Sequence, residues 1–200
     1  MTSTATAPSG LRLWVLGARP RTLGAAIAPV LVGTAVAAAE AGRVLPGRAV
    51  LAGVVALALQ VGVNYANDYS DGVRGTDTDR VGPLRLTATG LAEPGAVRRA
   101  AVVAFAVAAV SGLTLSLLAD PWLILVGAAA LAAAVLYTGG PKPYGYLGLG
   151  EVMVLVFFGF VATAGSAYVQ LGRVPWSAWW GSLVVGALAC AILVVNNVRD

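Results

Sequence analysis

Apolar residues fill most of the chain in long stretches that short polar segments separate. A helix needs about 20 mostly apolar residues to cross a bilayer, and six stretches approach or reach this length. The predicted spans run roughly over residues 23–39, 49–66, 100–119, 122–137, 147–169 and 178–195, the fourth being short. The pattern therefore predicts an all-α fold, a polytopic membrane helical bundle. Residues 1–10 are polar and small and are expected to form a disordered tail, with one transmembrane domain over residues 11–200.

Composition narrows the chemistry that the chain can perform. Hydrophobic residues make up 58% and charged residues 11%, with a mean hydropathy of +0.83, whereas soluble domains are about 25% charged. A soluble globular protein and a disordered one are both excluded. The chain has no histidine and a single cysteine, Cys190, which excludes disulfides within the chain, histidine-based zinc sites and His-dependent triads. The net charge of +4 fits loops that face an anionic membrane surface or substrate better than nucleic acid.

Basic residues are unevenly distributed between the two sides of the predicted bundle. With six spans, ten of the thirteen Lys and Arg residues fall on one side and three on the other. The positive-inside rule makes the richer side cytoplasmic, so the N-terminus is predicted to be cytoplasmic in a multi-pass protein of the inner cell membrane. Most of the acidic residues lie on the same side, and the positive-inside rule does not account for them.

The second predicted span ends in a run of amides and carboxylates spaced i, i+3, i+4 and i+7, which share one face of a helix: Asn64, Asn67, Asp68 and Asp71. Gly75 then breaks the helix and lets Asp77 turn back toward that face. The run is either a solvated helix end or a divalent-cation site. All-oxygen ligands without His or Cys favour Mg2+ or Mn2+ over zinc. Arg74, Arg80 and Arg85 in the same region suit a phosphate-bearing ligand.

Two further polar clusters lie on the same predicted side. Asn196, Asn197 and Asp200 share a helix face at the end of the sixth span, and the loop from Tyr137 to Tyr144 carries Lys142 as its one charge. Glu151 begins the next apolar helix, where it is either functional or a residue favoured by the helix dipole. Together the clusters indicate a substrate with an apolar part among the helices and a diphosphate at their mouth, bound with Mg2+. Departure of the diphosphate would be assisted by the metal and by arginines.

The order of the motifs resembles that of the UbiA superfamily of intramembrane prenyltransferases. Asn67-Asp68-x-x-Asp71-x-x-x-Gly75-x-Asp77 is similar to the first aspartate-rich motif of that family, and Asn196-Asn197-x-Arg199-Asp200 is similar to the opening of the second. Three shorter segments resemble its menaquinone branch, which prenylates 1,4-dihydroxy-2-naphthoate: residues 18–23, 79–86 and 148–151. The resemblance implies transfer of a polyprenyl group from polyprenyl diphosphate to that naphthoate, with loss of CO2 and diphosphate, giving demethylmenaquinone.

The resemblance also implies roles for individual residues. Asp68, Asp71, Asp77 and Asp200 would bind Mg2+, and Asp68, Asp71 and Lys142 would be catalytic. The residues expected to bind substrate are Asn64, Asn67, Arg80, Arg85, Asn196, Asn197 and Tyr137. Arg80 and Arg85 are equally compatible with anchoring their loop, and Tyr137 with the belt of aromatic residues at a membrane interface.

Other interpretations remain open from the sequence. The acceptor is either the naphthoate, another aromatic compound or a tetrapyrrole, since the donor chemistry is shared. A cation-coupled transporter would instead place ionisable groups near the middle of the bilayer, whereas these acids lie at helix ends. Because the second motif of the family continues beyond Asp200 with another aspartate and more helices, the chain is expected to be a fragment, for which a scaffold role is a further alternative.

Overall fold

The computed structural model describes residues 9–75 and 84–199, which form a helical bundle without strands in those two ranges. The helices are α1 (Leu11–Gly17), α2 (Pro20–Ala41), α3 (Pro46–Arg74), α4 (Pro94–Ala119), α5 (Leu123–Leu136), α6 (Gly150–Val154), α7 (Gly165–Leu171) and α8 (Trp176–Arg199). A 3₁₀ turn, Tyr144–Leu147, precedes α6, and a π-helical segment, Leu155–Ala164, joins α6 to α7. The predicted disordered tail lies outside the described residues except for its last two positions.

Among the described residues, five helical stretches are long and apolar enough to cross a membrane, namely α2, α3, α4, Gly150–Leu171 and Trp176–Val198. They confirm five of the six predicted spans with shifted ends, and the fourth predicted span corresponds to α5, a shorter apolar helix of 14 residues. The chain is therefore an all-α, multi-pass membrane protein. The short α1 before the first span was not predicted. The α3 helix contains the second predicted span and continues through the polar run to Arg74, as the predicted helix break at Gly75 requires.

Local sequence explains where the long helices begin and end. Pro20, Pro46 and Pro94 are the first residues of α2, α3 and α4, where proline costs no hydrogen bond because the first amides of a helix have no partner within it. Gly75 ends α3 with a φ of 73°, a left-handed conformation that glycine adopts without steric cost. The break predicted at Gly75 is thus confirmed.

Small residues bring the helices into close contact, as is usual for helices that associate in lipid. A Cβ placed on Gly33 of α2 would overlap the backbone carbonyl oxygen of Thr163 and lie 2.7 Å from Cβ of Ser166. The α8 helix approaches the π-helical segment in the same way, since a Cβ on Gly159 would lie 3.0 Å from Cα of Gly186. At these two places the helix backbones lie too close together for a larger side chain.

The two ends of the bundle carry different polar contacts. We call the end where α3 terminates the site end and the other the distal end. At the distal end, Arg48 donates to the backbone carbonyl oxygens of Val169, at 2.7 Å, and of Leu118. The side chain of Gln170 both accepts from and donates to the backbone of Leu45, at 2.7 and 3.1 Å. Further side-chain bonds at this end join Tyr168 to Asp120, Trp122 to Tyr168, and both Arg173 and Ser177 to Glu40.

Candidate active site

Asp68 attaches the turn that precedes α4 to the side of α3. Its side chain is fully buried, at 0% exposure. The backbone N–H of Leu86 donates to Oδ2 at 2.7 Å, and that of Thr87 donates to Oδ1 at 2.9 Å. Because a buried carboxylate is stable only when donors replace its hydration, these bonds determine where the turn lies. Each oxygen keeps a lone pair for a further ligand.

Asp71 lies one helical turn further along α3 and forms an ion pair with Arg85. Its Oδ2 is 3.6 Å from Nη1 of Arg85, and both side chains are buried. Arg85 directly precedes the two residues whose amides bind Asp68. The position of the guanidinium beside Asp71 therefore follows from the attachment of the turn to Asp68.

Tyr146 reaches the same carboxylate from the loop between α5 and α6. Its hydroxyl donates to Oδ1 of Asp71, and the guanidinium of Arg74 lies over its ring, 5.5 Å from the centroid. Burial, and then the hydrogen bond to Asp71, raise the pKa of Tyr146, whereas Arg74 lowers it in part. The net effect is a raised pKa, so the phenol keeps its proton and acts as a donor at neutral pH.

The two amides of the predicted polar face bind different neighbours. Asn64 is buried and donates to the backbone oxygen of Ala18, at 2.8 Å, and to the hydroxyl of Thr22, at 3.0 Å. It thus holds the junction of α1 and α2. Oδ1 of Asn67 accepts a bond from the hydroxyl of Thr138 at 2.8 Å. The shared helix face is confirmed, but its four side chains spread over three neighbouring segments.

The loop between α5 and α6, residues 137–149, is bound to the end of α3. Arg74 donates to the backbone oxygens of Thr138, at 2.9 Å, and Gly140, at 3.0 Å. Lys142 is exposed at the far side of this loop. The rings of Tyr137 and Tyr144 meet edge to face, 5.5 Å apart. The first and third predicted clusters therefore do come together.

The second cluster contacts the start of α6. Nδ2 of Asn197 lies 3.3 Å from Oε1 of Glu151, to which it donates, and Asn196 is half-buried nearby on α8. Three of the predicted site residues lie outside the described residues: Asp77, Arg80 and Asp200. The described contact of this cluster thus joins the end of α8 to the start of α6.

The donor chemistry of the site end fits a hard divalent cation. Among the described residues, no group of three His, Cys, Asp or Glu side chains forms a ready metal cluster. The groups near the end of α3 are carboxylate and amide oxygens, which Mg2+ prefers. Among the described carboxylates, Asp71 contacts both the loop, through Tyr146, and Arg85. Two of the four predicted ligands, Asp77 and Asp200, lie outside the described residues.

Three contributors were missing from the predicted set of site residues: Tyr146, Thr138 and the side chain of Arg74 as a loop anchor. Their partners lie 64–75 positions away along the chain, so helical spacing gives no indication of them. The signal available was local: Tyr146 stands among glycines after an apolar helix, which indicates a turn that returns toward the membrane surface.

Comparison with known proteins places this chain in a family. Residues 26–200 match the UbiA prenyltransferase family, and the chain belongs to that family. It is 57% identical to 1,4-dihydroxy-2-naphthoate octaprenyltransferase of Mycobacterium tuberculosis, over 94% of this chain and 64% of that protein. It is 39% identical to the enzyme of the same name from Escherichia coli, over 96% of this chain and 64% of that protein.

A more distant relative is named as a phytyltransferase rather than an octaprenyltransferase. The chain is 30% identical to 2-carboxy-1,4-naphthoquinone phytyltransferase of Synechocystis, over 96% of this chain and 62% of that protein. The chain thus spans a little under two thirds of the length of these curated relatives.

Proposed function

We propose that the protein transfers a polyprenyl group from polyprenyl diphosphate to 1,4-dihydroxy-2-naphthoate in a Mg2+-dependent reaction of menaquinone synthesis. The observation that carries the proposal is the buried pair of Asp71 and Arg85, held at the mouth of an apolar bundle by the bonds of Asp68. A carboxylate for the cation beside a guanidinium for phosphate oxygens is what a metal-bound diphosphate requires. The names of the relatives supply the acceptor.

The cationic side chains of the site end would bind the diphosphate. Arg85 lies beside Asp71, and Lys142 is exposed on the adjoining loop, where it is available to an anionic ligand. Asp71 would hold Mg2+ together with Asp77 and Asp200, and Asp68 would take part through its remaining lone pairs. When bound, the cation neutralises charge on the departing diphosphate. Arg80, Asn67, Asn196 and Asn197 would complete the polar lining.

The remaining chemistry needs a dry apolar space beside these polar groups. The carbon–oxygen bond of the prenyl diphosphate breaks, and the diphosphate leaves with the electron pair. A carbon–carbon bond forms to the aromatic ring, whose carboxylate is lost as CO2 and returns its electron pair to the ring. The prenyl chain would lie among the apolar helices, which exclude water from a reactive allylic cation. Tyr137, edge-on to Tyr144, offers an aromatic wall at the same level.

The same proposal includes an orientation of the bundle in the membrane. The site end would face the cytoplasm of a bacterial inner membrane, because ten of thirteen basic residues lie on that predicted side.

The test is a transfer assay on membranes that contain this chain. Polyprenyl diphosphate, Mg2+ and a panel of acceptors, including the naphthoate and 4-hydroxybenzoate, are supplied, and products are identified by mass. We expect prenylated, decarboxylated naphthoate, its loss on chelation of Mg2+, and a strong decrease in the Asp71→Asn variant. Absence of product with every acceptor contradicts the proposal, and product with another acceptor alone corrects its substrate.

A further inference from the structure

The loop between α5 and α6 is bound to α3 at two places with different chemistry. Near its start, backbone oxygens of Thr138 and Gly140 accept from Arg74, at 2.9 and 3.0 Å. Near its end, the hydroxyl of Tyr146 donates to Oδ1 of Asp71. The first contact joins the guanidinium of Arg74 to backbone carbonyl oxygens and does not involve Asp71. The second uses an oxygen of the carboxylate to which the proposed function assigns the cation.

We propose that Tyr146 competes with the divalent cation for Asp71, so that loading the site releases this part of the loop. The inference rests on the proposed function, because it takes Asp71 as a ligand. The phenol proton occupies one lone pair of Oδ1 and directs positive charge toward it, while Arg85 already pairs with Oδ2, so a cation that binds Asp71 must share or displace these donors. The hydroxyl of Tyr146 therefore opposes binding of the cation to Asp71.

The surroundings of Tyr146 allow the side chain to leave. It is 51% exposed, so its departure uncovers little apolar surface. It lies in the short 3₁₀ turn Tyr144–Leu147. Gly145 directly precedes it, and Gly148, which follows the turn, has a φ of 72°. Arg74 lies over the ring of Tyr146, but its two bonds to the start of the loop end on backbone oxygens and do not require the phenol to stay in place. The released part is therefore the turn that carries Tyr146.

A cation-binding experiment on the 200-residue chain in detergent tests the competition. Mn2+ serves as the probe, and its free concentration is followed by electron paramagnetic resonance in the unmodified chain and the Tyr146→Phe and Tyr144→Phe variants. Tyr144 is a matched control, because its hydroxyl donates to the backbone oxygen of Ala133 at 2.8 Å and not to Asp71. We expect Tyr146→Phe to bind Mn2+ about tenfold more tightly, equivalent to about 1.4 kcal/mol, while Tyr144→Phe matches the unmodified chain.

The possible results separate the two proposals. Equal or weaker Mn2+ binding by Tyr146→Phe, with measurable binding by the unmodified chain, overturns the competition and leaves the cation site standing. Absence of Mn2+ binding in all three proteins overturns both.

A spectroscopic measurement gives an independent readout. With 3-fluorotyrosine at position 146, addition of Mg2+ should move the fluorine resonance toward its position in the Asp71→Asn background, where the carboxylate acceptor is gone. With the label at position 144, Mg2+ should leave the resonance in place. A resonance at 146 that does not respond to Mg2+ while Mn2+ is bound contradicts release of the turn.

Discussion

Asp68→Asn tests whether this carboxylate holds the turn before α4. The substitution keeps the shape of the side chain but replaces one acceptor oxygen by an NH2 group. One of the two amides, of Leu86 or Thr87, then faces a donor instead of an acceptor, and a buried donor left without a partner costs about 1–3 kcal/mol. Because both bonds are short, at 2.7 and 2.9 Å, and Asp68 is fully buried, we expect the turn to open more easily by about 2 kcal/mol.

The assay is hydrogen exchange of the amides of Leu86 and Thr87. A change of about 2 kcal/mol corresponds to roughly thirtyfold faster exchange, since 1.4 kcal/mol is a factor of ten. Asp71→Asn is the matched control, because Asp71 contacts the side chains of Arg85 and Tyr146, whereas Asp68 accepts the two amide bonds themselves. Exchange of the two amides that is unchanged in Asp68→Asn, or accelerated equally in both variants, would refute the anchoring role.

Three other predictions follow from packing, exposure and charge. Gly33→Ala should destabilise the bundle by about 1–3 kcal/mol in detergent unfolding, because the backbone oxygen of Thr163 blocks the new methyl group. Gly24→Ala should be neutral, because nothing lies within 4 Å of the new methyl group. Equal stability of the two variants would contradict the close contact at Gly33. Lys142→Met should leave thermal unfolding unchanged, since the side chain is exposed. In the transfer assay the same variant should raise the KM for prenyl diphosphate. An unchanged KM would remove Lys142 from the site. Burial raises the pKa of Tyr144 from 10.0 to about 12. Folding therefore favours the protonated form, and the stabilisation present below pH 10 is lost as the pH rises toward 12. Phenolate absorbance compared with that of Tyr144→Phe checks this, and ionisation of Tyr144 at pH 10 would contradict it.

Helical spacing predicted the polar face of α3 because that information is local. Four polar residues at i, i+3, i+4 and i+7 share a face in any α-helix, and Gly75 marks its end. The same spacing could not predict the partners of Asp68, which are backbone amides 18 and 19 positions away. Backbone donors carry no signature in the sequence, so a carboxylate that anchors a turn is indistinguishable there from one that binds a metal.

The π-helical segment shows a second limit. Residues 155–164 are almost uniformly apolar, so hydropathy predicts a span there but does not separate an α-helix from a π-helix. The hydroxyl of Thr163 donates to the backbone oxygen of Phe158 at 3.3 Å, five residues earlier, and Gly159 and Gly186 allow α8 to pack closely at this level. Tertiary packing and a side-chain bond, rather than hydropathy, accompany this change of helical geometry.

The cross-links of the distal end depend on two side chains. There, Arg48 and Gln170 join the start of α3 to the ends of α4 and α7 through bonds to backbone groups of Val169, Leu118 and Leu45. Because every residue type offers the same backbone carbonyl oxygen, substitution of Leu118 or Val169 would leave the acceptor in place, whereas loss of Arg48 or Gln170 would remove the cross-link itself.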